Sequence, residues 1–117
     1  MAYNLDLMRA VREQITKHPE THDQTSWGER TKCGTTHCIA GWACALNGDT
    51  IQWEPDESVG ESASSVTTKD GQLPIDDRAR ELLGLDDFEA SDLFYAFTRT
   101  HALARLGALI EKGERAA

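Results

Sequence analysis

No apolar run in these 117 residues is longer than a few residues, against the roughly 20 needed to cross a bilayer. Met1 is followed by Ala-Tyr-Asn-Leu-Asp, not by the basic and then apolar stretch of a signal region. These absences lead us to expect a soluble, cytoplasmic protein with no membrane partner. Cysteine is scarce and odd in number, three in all, which argues against a disulfide framework and leaves buried thiols, a metal site or a reactive thiol. Positive charge is also short: 12 Lys and Arg stand against 20 Asp and Glu, giving a net charge of -8 and a pI near 4.8. Electrostatic attachment to phosphate backbones is therefore unfavourable, and nucleic acid is an unlikely partner. With only three prolines, no Pro-rich linker divides the chain, nor does a repeat of fixed period, so residues 1–117 read as a single domain.

What is present suffices for a core. Apolar residues make up 39% of the chain, with three Trp, three Phe and two Tyr, at a size where roughly two-thirds of the unfolded surface is buried. Asn4 as N-cap, Asp6 near the helix dipole, and Leu5, Met8, Val11 and Ile15 at helical spacing predict a helix over 5–17, stopped by His18-Pro19. Residues 18–34 are polar and without periodicity, an ordered loop that Trp27 pins to the core. Thr35 and Thr36 cap a second, central helix bearing Ile39, Ala40, Trp42, Ala43 and Leu46, which Asn47-Gly48 end. Gly41 in its middle costs about 1 kcal/mol of helix propensity relative to Ala, implying that another backbone or an indole ring packs against it.

Thr50–Trp53 and Ser65–Thr68 alternate as the strands of one short exposed hairpin, and the acidic segment 54–72 reads as a mobile insert. Ile75, Ala79, Leu82 and Leu83 mark a third helix closed by Gly84. Asp86 or Asp87 caps a fourth with Ala90, Leu93, Phe94 and Phe97, and Thr100 caps a fifth with Leu103, Leu106 and Ile110, ended by Gly113. The expected fold is mainly α, an all-α architecture but for one hairpin: a single compact domain of about five helices with the hairpin between the second and third.

Chemistry concentrates at Cys33, His37, Cys38 and Cys44, with His18 and His22 upstream. Cys33, Cys38, His22 and His37 are the candidate ligands of a small zinc-binding module. No second Cys pair follows, however, so zinc is the alternative reading and no cofactor the first. Cys38 and Cys44, six residues apart on one helix, are separated by about 9 Å and cannot bridge, whereas Gly34 permits a tight Cys33–Cys38 loop that a reducing cytoplasm opposes. A cysteine-dependent enzyme would use Cys38 at a helix N-terminus with His37 or His22 as base. Adjacent helical residues point about 100° apart and no oxyanion-hole loop is evident, so catalysis is not expected. Trp27, Trp42, Phe94, Tyr95 and Phe97 are assigned to the core. Trp53, outside the helical faces, is the candidate anchor for a partner, flanked by Glu54, Asp56, Glu57 and Glu61.

The run Trp27-Gly28, then Cys33-Gly34-Thr35-Thr36-His37-Cys38-Ile39-Ala40-Gly41-Trp42-Ala43, resembles a family of small uncharacterised proteins of actinobacterial phages, mycobacteriophages especially, and of some bacterial genomes. Ala79-Arg80-Glu81-Leu82-Leu83-Gly84-Leu85, followed by Ala90 and Leu93-Phe94-Tyr95, looks like a second block of that family, so the resemblance spans most of 5–110. It implies a phage accessory protein acting in the bacterial host cytoplasm and implies no chemistry. The expectation is therefore a phage-encoded protein that binds a host protein without catalysis.

Overall fold

The computed structural model describes residues 2–116. The first helix, α1 (Leu5–Lys17), opens as expected: the Asn4 side chain accepts the Leu7 N–H at 3.1 Å, and Leu7, Met8, Val11 and Ile15 form its buried stripe. A 3-10 turn, Pro19–Thr21, follows. The polar stretch beyond is not loop throughout. It contains strand β1 (Glu29–Thr31), which turns at Lys32-Cys33 into β2 (Gly34–Thr36). Helix α2 (Ile39–Leu46) starts from Cys38, not from Thr35 or Thr36, because both threonines are committed to β2. Asn47 and Gly48, the latter at φ +89°, end it.

Five short strands come next: β3 (Thr50–Ile51), β4 (Glu54–Asp56), β5 (Gly60–Ser62), β6 (Ser65–Thr68) and β7 (Gly71–Pro74). The anticipated pairing exists, since Thr50 faces Thr67 and Ile51 faces Val66. It is one part of a larger arrangement. β3, β6 and β7 make a three-stranded antiparallel sheet, while the chain leaves that sheet after β3, forms the β4–β5 hairpin, and lays β5 against β1. The second sheet thus has the order β2-β1-β5-β4, all antiparallel.

Helix α3 (Ile75–Leu83) ends on Gly84 at φ +75°, the left-handed stop its sequence predicts. Asp86 caps α4 (Asp87–Phe94) in a full capping box with Glu89. The last helix, α5 (Arg99–Ala116), takes its side-chain cap from Thr98, whose hydroxyl accepts the His101 N–H at 3.1 Å, not from Thr100, and it runs on through Gly113. One continuous core joins the stripes of α1 to α5, with Val66 as the fully buried side chain of the strands.

The mainly α, all-α expectation is overturned. The described chain is 51% helix and 21% strand, in two antiparallel sheets, an α+β fold in place of helices with a single hairpin. The strands are two to four residues long and mostly polar or glycine, so they bury too little to leave the alternating pattern by which a strand is read. Among the described residues no helix is long and apolar enough to cross a membrane.

Candidate functional site

His37 organises the polar half of the molecule. It is 2% exposed and follows β2, where its N–H donates to the Thr21 carbonyl and its own carbonyl accepts from Asp23. Its ring donates from Nδ1 to the Trp27 carbonyl at 2.8 Å. Trp42 packs edge-on against that ring at 4.9 Å and Trp53 lies tilted beside it at 5.7 Å. Gly28 and Gly41 make room: a Cβ on Gly41 would lie 2.7 Å from His37 Nδ1 and run into the Trp27 carbonyl oxygen. That is the close backbone approach which glycine in a helix implies. Burial pushes the His37 pKa down, so the ring is neutral.

His22 is engaged at both nitrogens. Gln24 donates through its amide to the Leu93 and Phe94 carbonyls at the end of α4, so its oxygen accepts from His22 Nε2 at 2.8 Å, while Arg99 donates to Nδ1 at 3.2 Å. Burial, with the Arg99 charge adding to it, lowers its pKa as well. Cys38 is buried at the start of α2. There the N–H groups of Gly41 and Ala40 favour a thiolate, but burial outweighs them and pushes the thiol up to about 11. Cys44 donates to the Ile75 carbonyl and is pushed up to about 12, again chiefly by burial. Cys33, by contrast, is exposed at the β1–β2 turn. The extended residues Gly34–Thr36 and His37 hold its Cα on the order of 15 Å from that of Cys38, so the tight loop that would let this pair bridge does not form. Among the described residues no group of three or more His, Cys, Asp or Glu side chains is arranged to hold a metal ion.

The residues expected to greet a partner are largely occupied within the fold. Trp53 is half-buried, with the Arg30 guanidinium 4.6 Å over its ring and His37 beyond. Arg30 also grips Glu61 in a two-pronged pair at 2.8 and 2.9 Å, which holds that carboxyl below its usual value. Asp56 caps the β4–β5 turn through Ser58. Glu54 and Glu57 are exposed.

A different face is open. Phe94 is buried as expected, but α4 ends there, and the connection to α5 turns Ala96 inward and Tyr95 and Phe97 outward. Tyr95 is 64% exposed and Phe97 89%, and neither belongs to the core. Helical spacing between Phe94 and Phe97 misled because no helix spans them; the threonine caps that follow, Thr98 and Thr100, were the signal of a break. Trp27 makes perpendicular ring contacts with Phe94 at 6.5 Å and with Tyr95 at 5.7 Å.

Three concavities meet at Tyr95. One, of about 230 Å³, lies between Trp27 and Phe97 with Ala96 and Cys38 in its lining. The second, of about 470 Å³, runs along Leu73 and Pro74 of β7. The third, of about 170 Å³, is lined by Asp76, Asp77, Arg80 and Asp87. A separate groove of about 700 Å³ opens between Tyr3, Leu5, Leu85 and the end of α5, and Lys112, the cation lining it, is already paired with Glu89 at 3.1 Å. A scan against protein-family models found no match to this chain, and neither did searches of curated proteins and of solved structures.

Proposed function

We propose that this chain works without catalysis, by binding another protein, and that it does so as a phage accessory protein in the bacterial cytoplasm, with a host protein as partner. The phage setting rests on the resemblance of the Cys33–Ala43 block. The binding role rests on one observation: Tyr95 and Phe97 stand in solvent beside Trp27, at the junction of three concavities. Single exposed apolar residues are ordinary, but adjoining aromatics around a depression are the usual make-up of an interface centre. The thiol and imidazole groups support the non-catalytic part, since Cys38 is held protonated and both His22 nitrogens are engaged. Arg30 and Ser58 already engage Trp53, Glu61 and Asp56, so the binding reading rests on the aromatic face and not on them.

The test is affinity capture from host lysate with the wild type and with a Tyr95→Ser/Phe97→Ser variant whose fold is checked by circular dichroism. A host protein retained in stoichiometric amount by the wild type and lost by the variant is expected. Retention of nothing specific, or equal retention by both, refutes the reading.

A further inference from the structure

We infer that the partner engages this face with a basic segment, seating one bulky apolar side chain between Trp27 and Phe97 and one Lys or Arg beside Tyr95. The inference rests on the binding reading above and adds the chemistry of the partner. It comes from two depressions of opposite character that share a wall. Phe94 and Tyr95 line both the aromatic concavity of about 230 Å³ and the acidic one of about 170 Å³. A ligand filling the first therefore lies next to the second.

The acidic depression has charge to spare. Its single cation, Arg80, reaches Asp87 at 3.5 Å, and neither Asp76 nor Asp77 takes part in an ion pair among the described residues. Both stand in the first turn of α3, whose dipole offsets roughly half a unit of their negative charge. Two carboxylates exceed that, and the chain as a whole carries -8. A cation set there would also face the Tyr95 ring, which favours it further. An acidic or neutral segment would gain the aromatic contact and lose the electrostatic one, and an acidic one would be repelled. Because only the wall formed by Phe94 and Tyr95 separates the two depressions, the anchor and the cation belong to neighbouring positions of an extended segment.

The probe is a random-sequence peptide library displayed on yeast, selected on the immobilised wild type and counter-selected on a Tyr95→Ala/Phe97→Ala variant. Enriched sequences are expected to carry Lys or Arg within a few positions of an aromatic or large aliphatic residue. One such peptide, made synthetically, is expected to bind an Asp76→Asn/Asp77→Asn variant at least about tenfold more weakly, and to weaken as salt is raised. Should that variant unfold, Asp87→Asn, on the other helix, carries the same test. Enriched peptides that need Tyr95 and Phe97 but are acidic or purely apolar would overturn the basic segment and leave the aromatic docking face standing. If no enriched peptide depends on Tyr95 and Phe97, both the segment and the binding reading fall. A dimer of the chain alone in sedimentation, abolished by Tyr95→Ala/Phe97→Ala, would assign the face to a second copy and overturn the proposal.

Discussion

Gly41 sets two effects of opposite sign against each other. Alanine there would gain about 1 kcal/mol of helix propensity, but its Cβ would meet a backbone carbonyl and the fixed His37 ring, neither of which can step aside. Overpacking of that kind costs typically 1–3 kcal/mol and more when backbone must shift. Gly41→Ala is therefore expected to destabilise by about 2 kcal/mol net, read as a lower urea midpoint; an unchanged midpoint would show that Trp27 and His37 are not packed as described. His37 itself makes stability depend on pH. An unfolded histidine takes up a proton below about pH 6.5 that the buried one refuses. Stability is thus complete above that pH and falls on the way down, by up to about 1.4 kcal/mol per pH unit for His37, with His22 acting in the same direction. Asp49, where the opposing effect of burial is outweighed by Arg78 and Asn47 together, and Glu61, held low by Arg30, add losses only below about pH 4.5. Urea midpoints at about pH 7.5 and about pH 5.5 check the histidine contribution alone, and equal midpoints would contradict it.

Among the elements, α3 is tied to the turn after α2 by a two-pronged pair, Arg78 Nε and Nη2 donating to Asp49 at 2.7 and 3.1 Å, with the Asp49 side chain only 6% exposed. Arg78→Ala would leave that carboxylate the Asn47 amide, at 2.9 Å, as its side-chain partner, and the cost of breaking such a half-buried pair is about 2 kcal/mol, between that of a surface pair and that of a buried one. A loss that size in chemical denaturation is expected; a loss under about 0.5 kcal/mol would place the pair with ordinary surface salt bridges. The capping box of α4 is worth less: Asp86→Ala should cost about 1 kcal/mol by the same measurement. Helices were legible because their caps and stripes are local. Asn4, Gly84 and Asp86 act where the spacing of Leu, Ile and Ala residues places them. The sheets beyond the β3–β6 pairing were not, since β1 finds β5 some thirty residues away through backbone bonds that any polar residue can make, as Glu29 opposite Ser62 illustrates. The exposed aromatic face was missed for a related reason. Tyr95 and Phe97 look like core by type, and only the end of α4 at Phe94, which turns Ala96 inward, sets them outside.

Taken whole, the molecule divides into a helical part that buries nearly all the apolar side chains and a four-stranded sheet that fully buries none of its own. Local opening follows buried apolar contact. Amide hydrogen exchange should therefore be slowest in α2, enclosed by α1 and α3, and fastest among the sheet amides of Glu29–Thr36. Equal protection across both parts would mean that the sheet is locked by something other than packing. The same division decides what oxidation can do to this protein. Its two helix-side sulfurs are sealed in the core, and the third rides in solvent at a hairpin tip. In an oxidising medium the chain can join covalently only to something outside itself, through Cys33, and a maleimide dye or cross-linker offered to the native protein has a single address.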